Sequence, residues 1–191
     1  MHRFLFATVL SVSLSTAALA QATPLPQTRE GFGMSFGLGG GSAGSECDFC
    51  DSERTTALSG YLRLGGHVNR KVFVGFESNG WTNSEAGVDQ TLGFYGGVVQ
   101  FYPNPEQGFY LKGGLGLALY SETDGIDEIN SSALGLSAGL GYDFRVGKNF
   151  SLTPYANFLM STKGELTFND ESTGLNVSAN LIQFGLGFTW H

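Results

Sequence analysis

The sequence has few charged residues, only two cysteines, and no apolar segment long enough to span a bilayer as a helix. Charged side chains make up 14% of the 191 residues, against roughly 25% in soluble domains. A transmembrane helix needs 18 or more predominantly apolar residues in a row, and no segment reaches that length. The sequence therefore excludes a membrane protein built from helices and does not favour a surface that meets only water.

Basic residues are scarce. The chain has 10 lysines and arginines against 17 aspartates and glutamates, which gives a formal net charge of −7. Proteins that bind nucleic acids neutralise phosphates with clustered lysine and arginine side chains. No basic patch is visible in the sequence, so nucleic acid is not expected as a partner.

The beginning of the chain has the pattern of a secretory signal peptide. His2 and Arg3 precede a largely apolar run over residues 4–14, and Ala18-Leu19-Ala20 has the small-x-small pattern of a cleavage site. We therefore expect residues 1–20 to be a signal peptide, residues 21–30 a periplasmic linker, and residues 31–191 the folded domain.

From Gly31 onward, runs of alternating apolar and small or polar residues are separated by clusters of turn residues. A period of two is typical of β-strands, and no segment with helical periodicity interrupts the pattern. The eight predicted strands cover approximately residues 31–41, 55–68, 71–82, 89–102, 108–121, 132–146, 149–163 and 176–190. The pattern predicts an all-β domain.

The composition of the two strand faces indicates which face points outward. In the fifth run, for example, Leu115 and Leu117 lie on one face and Gly114 and Gly116 on the other. A soluble carrier of the lipocalin type would bury the apolar face and cover the other with lysine and glutamate. Here the second face is mostly glycine, serine and alanine, which suits the cramped interior of a small barrel.

The apolar face is then left to meet lipid, where every backbone polar group must be paired and the sheet must close on itself. We therefore predict an eight-stranded antiparallel up-and-down transmembrane β-barrel. The fourth run fits this pattern least well. Leu92, Phe94 and Val98 are apolar on one of its faces, and the opposite face is also apolar, with Tyr95, Val99 and Phe101.

The predicted connections alternate between short and long. Short ones lie near residues 69–70, 104–107 and 147–148, and longer ones near residues 42–54, 83–88, 122–131 and 164–175. Outer-membrane barrels have short periplasmic turns and longer extracellular loops. Both termini are therefore expected in the periplasm, and the acidic residues that gather in the long connections are expected outside the cell.

The last predicted strand carries the most specific local pattern. Phe184, Leu186, Phe188 and Trp190 alternate with glycine and polar residues. Over essentially the whole chain after the signal peptide, the sequence resembles the OmpA and OmpX type of small outer-membrane β-barrel proteins. The resemblance implies a monomer in the cell outer membrane, in contact with lipid and lipopolysaccharide. It also implies that the barrel-assembly machinery reads the C-terminal strand, although family members usually end on phenylalanine and here His191 follows Trp190.

Charged side chains of both signs fall on the inward face of the predicted strands. Unpaired buried charges are strongly unfavourable, so we expect an ion-pair and hydrogen-bond network that plugs the barrel. The alternative is that the same residues line a narrow gated pore. The expected members are Arg63, Glu77, Lys112, Asp143 and Arg145, together with Tyr61, Tyr110, Tyr155, Asn157 and Gln183.

Cys47 and Cys50 form a C-x-x-C pair in the first long connection. An exported protein meets oxidising conditions, so a local disulfide is the expected state. A zinc site would need further cysteine or histidine ligands, and the acidic segment 122–128 lacks the spacing of a calcium-binding EF-hand loop. The sequence therefore predicts no metal and no other cofactor, with divalent ions at the acidic segment as a weaker alternative.

Aromatic residues lie near many predicted strand ends. They predict girdles at the two membrane interfaces, although ordinary β-propensity would also place them in strands. The examples are Trp81, Phe101, Tyr102, Tyr120, Phe150 and Trp190.

No arrangement of catalytic residues is evident in the sequence. His67 lies at a predicted turn and His191 at the C terminus, and neither is expected beside a serine and an acid in a site that a lipid substrate can reach. We therefore expect a non-enzymatic protein with a structural or surface-interaction role through its extracellular loops. A narrow gated pore or small-ligand-binding porin-like protein is the first alternative, and a soluble exported lipocalin-like barrel is the second.

Overall fold

The computed structural model describes residues 29–47, 54–169 and 171–191. No helix in these segments is long and apolar enough to cross a membrane. The strands are β1 (Gly31–Cys47), β2 (Arg54–Asn69), β3 (Val72–Glu85), β4 (Val88–Phe101), β5 (Phe109–Thr123), β6 (Glu128–Tyr142), β7 (Phe144–Arg145), β8 (Phe150–Ser161), β9 (Gly164–Phe168) and β10 (Glu171–Trp190).

The strands form one closed antiparallel sheet. β1 pairs with β2 on one side and with β10 on the other, where Met34 lies opposite Trp190. The short β7 continues the path of β6 beyond Asp143, and β9 continues the path of β8 beyond Thr162 and Lys163. Counting β6 with β7 and β8 with β9 as single interrupted strands, the barrel has eight strands, which confirms the predicted fold.

The outer surface of the barrel is apolar and the interior contains most of the polar side chains. Leu38, Leu58 and Phe184 expose 65%, 61% and 63% of their surface, whereas Tyr61 and Lys112 are buried. This confirms the predicted orientation of the two strand faces. An exposed belt of this kind is stable only against lipid, because water would strongly favour its burial.

β4 differs from the other strands because it has apolar side chains on both faces. Tyr95, Val99 and Phe101 point outward, while Leu92, Phe94 and Val98 point inward and are buried. The interior is therefore not filled by glycine, tyrosine and ion pairs alone. An apolar cluster occupies part of it and is formed by Ala43, Trp81, Leu92, Phe94, Val98, Leu159, Ala179 and Leu181.

The two ends of the barrel differ. We call the end at which β1 begins and β10 finishes the terminal end, and the opposite end the far end. β1 has 17 residues and β10 has 20, whereas about 10 tilted residues are enough to cross a membrane. The wall of the barrel is therefore taller than the hydrocarbon layer of a membrane.

The predicted strict alternation of short and long connections is wrong. β3 and β4 meet at a two-residue turn, Ala86 and Gly87, and residues 124–127 join β5 to β6. The link predicted to be short at residues 104–107 extends over residues 102–108. Polar residues at the far end, such as Ser84 opposite Asp89, continue the strand ladder, because the ladder needs only backbone pairing once the strands leave the lipid.

Candidate functional site

The middle of the barrel interior holds a group of ion-paired side chains that we call the central cluster: Arg63, Glu77 and Lys112. The sheet register places Arg63 directly opposite Glu77 on β2 and β3. Arg63 donates from Nε and Nη2 to Glu77 Oε2 at 2.9 and 2.6 Å, and Lys112 Nζ donates to Glu77 Oε1 at 2.5 Å. All three side chains are buried. One carboxylate thus pairs with two cations that are buried from bulk solvent.

Three tyrosines surround the central cluster. The Cζ atom of Arg63 lies 4.7 Å from the ring centroid of Tyr61 and 5.9 Å from that of Tyr110. Tyr155 meets Tyr61 edge-on, with 4.8 Å between ring centroids. Glycine on the neighbouring strands leaves room for these rings, since a Cβ atom at Gly141 would lie 2.5 Å from the hydroxyl of Tyr110.

An amide pair bridges the interior on the far side of the central cluster. Asn79 Nδ2 donates to Gln183 Oε1 at 2.8 Å, and Gln183 Nε2 donates back to Asn79 Oδ1 at 2.7 Å. Asn157 Nδ2 lies 3.5 Å from the same Gln183 oxygen. Asn79 was not among the predicted members, although it shares the inward face of β3 with Glu77 and could have been found from that spacing.

A second polar group, the terminal-end cluster, fills the barrel where the chain enters it. It includes Arg29, which lies two residues before the start of β1 and is buried. Arg29 donates from Nη1 and Nη2 to the carbonyls of Pro105 and Gln107 at 2.8 and 2.7 Å, and its Cζ lies 3.8 Å from the ring centroid of Tyr102. The residue expected to belong to a linker therefore plugs this end. The sequence did not indicate this role, because its acceptors are backbone carbonyls in a turn.

Asp143 belongs to the terminal-end cluster and not to the central cluster. Its carboxylate accepts hydrogen bonds from Thr153 Oγ1 at 2.8 Å and Tyr102 Oη at 3.1 Å, and it lies 3.9 Å from Arg29 Nη2. Asp143 interrupts the path from β6 to β7. The alternation of sides continues through this position, so Asp143 points inward. Its place at the end of β6 puts the carboxylate at the terminal end, away from Glu77.

Arg145 also departs from the single network that the sequence predicted. It lies on the two-residue β7, is half-buried, and donates from Nη2 to the carbonyl of Lys148 at 2.5 Å. The five predicted charges thus divide into a central cluster, a terminal-end cluster and one side chain near the barrel mouth. The physical reason is position along the barrel axis, which inward parity alone does not specify.

His191 lies beside a serine and an acid, which the sequence did not predict. Its Nε2 is 2.9 Å from Ser151 Oγ and 3.8 Å from Asp143 Oδ2. A catalytic triad requires the acid to hold the other ring nitrogen, but here serine and acid approach the same one. Burial lowers the pKa of His191 to about 3, helped by nearby arginines. The ring is therefore neutral, and the serine and the acid are themselves fully buried.

The predicted aromatic girdles are only partly present. Phe101, Phe150 and Trp190 are exposed on the outer face, as expected. In contrast, Trp81 and Tyr102 are buried inside the barrel, and Tyr120 packs against the apolar cluster. Inward parity decides the position of these three rings, because strand geometry alternates sides whatever the residue's distance from the strand end.

The far end presents an ordered group of acidic residues. Asp124 Oδ1 accepts the backbone N–H groups of Ile126 and Asp127 at 2.9 and 2.8 Å, and these bonds lower the pKa of Asp124. Asn169 donates to Asp127 Oδ1 at 3.0 Å and accepts from the backbone of Glu128 at 2.9 Å. These contacts tie two neighbouring turns into one rim.

Two further predicted groups have different outcomes. Phe184, Leu186, Phe188 and Trp190 all expose their side chains on the outer face of β10, and their role as an assembly signal stays a prediction. Cys50 lies outside the described residues, so the predicted disulfide with Cys47 also stays a prediction. Within the segments that the structure describes, no three histidine, cysteine, aspartate or glutamate side chains group as metal ligands.

Comparisons of the sequence and of the fold with known proteins both identify outer-membrane β-barrel proteins. The sequence matches the family model of the outer membrane protein beta-barrel domain over residues 4–189. The fold is similar to that of Ail, the attachment invasion locus protein of Yersinia pestis, with a TM-score of 0.57 and 16% identity, covering 84% of this chain and 99% of that one. No curated protein sequence matches the chain.

Two more solved structures share the fold. Neisserial surface protein A gives a TM-score of 0.59 at 15% identity and covers 85% of this chain and 98% of its own. OprG from Pseudomonas aeruginosa gives a TM-score of 0.51 at 14% identity, with coverage of 87% and 99%. At these identities the similarity concerns the fold.

Proposed function

Because the chain belongs to the outer membrane protein beta-barrel family, we propose that it is a closed, non-enzymatic barrel whose far end presents an acidic interaction surface outside the cell. Family membership places it in the bacterial outer membrane. The soluble lipocalin-like alternative is therefore not retained. The apolar outer face contacts lipid and lipopolysaccharide, as in outer-membrane barrels generally.

The filled interior supports a structural or surface role over a pore. Glu77, Phe94 and Leu181 have no solvent exposure, and Arg29 is 1% exposed. These residues lie at three successive levels along the barrel axis, so a diffusing ion would have to displace an ion pair, an apolar cluster and the terminal-end cluster in turn. An eight-stranded barrel has little other space inside.

The charge of the far end supports an interaction with a basic partner. The described acidic side chains there include Glu85, Asp89, Asp124, Asp127, Glu128, Glu165 and Glu171. Basic residues at the same end are few, and Arg54 is hydrogen-bonded to Ser42 and Asn180. Complementary charge raises association rates and selects partners. The terminal end, with Arg70 and Lys71 at one of its turns, would face the periplasm.

A basic peptide tests this proposal. Barrels in nanodiscs of neutral lipid are titrated with a fluorescent oligo-lysine at low and high salt. Neutralising the far end with Asp127→Asn and Glu128→Gln should weaken binding roughly threefold or more, given typical exposed charge pairs. The matched control, Glu30→Gln with Glu106→Gln at the terminal end, should bind like the wild type. Equal weakening in both variants, or none in the first, would overturn the proposal.

Two features of the proposal concern assembly. The barrel is a monomer, since its sheet closes without an unpaired edge that a second copy would be needed to cover. The C-terminal strand β10 is the segment that the barrel-assembly machinery reads, because its exposed alternating residues end the strand that seals the barrel against β1.

A further inference from the structure

The far end of the interior contains a cavity of about 180 Å³, which we call the cup. Trp81, Leu92, Ala43 and Ala179 form its apolar floor and wall. The rest of the lining is polar or glycine and consists of Gly44, Ser45, Thr55, Gln90 and Tyr120. The cup lies above the apolar cluster, so its floor consists of buried apolar side chains. Its space exists because Ala43 and Ala179 are small at positions where larger apolar residues would complete the packing.

The floor of the cup is rigid. Trp81 is 3% exposed and its indole Nε1 donates to the carbonyl of Gly41 at 3.0 Å, which fixes the plane of the ring. Leu92 packs with Phe94 and Leu181 in the apolar cluster. Because the floor is preformed, a ligand would not need to order these side chains when it binds, and preorganisation of this kind favours affinity.

A fixed carboxylate, that of Glu122, lies at the edge of the cup, bound by two of the residues that line it. Gln90 Nε2 and Tyr120 Oη both donate to Oε2 of Glu122, at 3.2 and 2.5 Å. Glu122 is half-buried on the inward face of β5. The sequence had suggested that it lies in a solvated loop, and that expectation is wrong. Neutral donors hold this carboxylate in place without cancelling its charge.

Size and charge together specify a ligand class. A volume of roughly 150 Å³ is enough for a benzene molecule, so the apolar floor of the cup suits a body of one aromatic ring or a short alkyl chain, while its polar side suits a polar head. A positively charged head would pair with Glu122. We propose that the cup binds small amphiphilic amines, with the apolar body on Trp81 and Leu92 and the ammonium group on Glu122. This site is independent of the rim surface proposed above.

The two tryptophans of the chain provide a direct readout. Trp81 lies in the cup and Trp190 lies on the lipid-facing surface. In nanodiscs, the two indole N–H signals are followed by NMR during titration with 2-phenylethylamine, and Trp190→Phe assigns them. Entry into the cup should shift the Trp81 signal saturably, whereas partition into the lipid alone would shift the Trp190 signal.

Matched ligands and variants complete the test. Phenylacetate and 2-phenylethanol should bind about tenfold more weakly than the amine, as expected for loss of one charge-assisted hydrogen bond. Glu122→Gln should weaken amine binding by a similar factor and leave 2-phenylethanol unchanged. Ala179→Leu should abolish the shift by filling the cup, and the lipid-facing Ala138→Leu should not.

Heat-modifiable migration on a gel establishes that each variant is folded, and Ala43→Leu replaces Ala179→Leu if the latter does not fold. A shift confined to Trp190, an unchanged shift in the filled cup, or binding of phenylacetate as tight as that of the amine would each overturn the proposal. Loss of oligo-lysine binding at the rim would not affect it.

Discussion

Glu77 accepts hydrogen bonds from Arg63 and Lys112 in the centre of the barrel, and its position explains why three charged residues are tolerated there. Desolvation makes each ion costly, and only mutual pairing offsets that cost. Removing the carboxylate would leave two cations facing each other in a dry interior. The stability of the barrel should therefore depend far more on this one acid than on the acids of the far end.

Replacing Glu77 with alanine should destabilise the barrel by about 3–5 kcal/mol, because breaking a buried ion pair leaves an uncompensated charge. Urea unfolding from phospholipid vesicles measures the change. The triple variant Arg63→Met, Glu77→Leu, Lys112→Met is the control and should be close to the wild type, since it removes every charge of the cluster. A single variant as stable as the wild type would show that the pairing contributes little.

The inward position of the central cluster could be predicted from the sequence because a strand alternates sides with a period of two. The hydrogen-bonding partners of these residues could not be predicted, because they depend on the register between strands and on the level along the barrel axis. Asp143, for example, points inward but lies at the level of the terminal end. Trp81 shares the inward parity of Glu77 and Asn79, so its buried position was also encoded. The sequence analysis instead used the nearness of Trp81 to a strand end and wrongly placed it in an outer aromatic girdle. Arg29 had no such signal, since it precedes the first strand.

The strands β3 and β4 illustrate how an element can extend beyond the lipid. Residues 83–88 are polar and small and were predicted to be a long loop, yet Asn83 pairs with Gln90 and Glu85 with Val88. The turn between them has φ values of 53° at Ala86 and 85° at Gly87. Two left-handed residues match the twist of a tight hairpin. The eight strands were predictable from the alternation of apolar and polar residues. Their far ends were not, because the strands continue by backbone pairing into residues that no longer alternate.

Substitution of Gly87 by alanine should destabilise the barrel by about 1–2 kcal/mol, because a Cβ atom is strained in the left-handed region. Gly97→Ala is a matched control, since Gly97 has no atom within 4 Å of an added Cβ and should tolerate the change. Urea unfolding of both variants in the same vesicles gives the comparison. Equal stability of the two variants would mean that the hairpin turn adapts without cost.

The barrel as a whole is divided into levels with different chemistry. Arg29 and Asp143 occupy the terminal end, the central cluster fills the middle, and the apolar cluster lies beneath the cup at the far end. Each level is built from side chains of several strands, so the interior is blocked by the barrel as a whole and not by any single strand. This arrangement closes the terminal end and the middle of the barrel while leaving a small recess open at the far end.

A barrel filled at every level should not conduct ions. In planar bilayers the purified protein should give no conductance steps above the lipid baseline, with a large porin in the same bilayers as positive control. Lys112→Met and Glu77→Gln address the pore alternative, because lining residues would set the amplitude and ion selectivity of any steps. Steps in the wild type that either substitution alters would show that ions pass the central cluster. The proposal of a closed barrel that acts through its acidic far end would then have to be abandoned in favour of a gated pore.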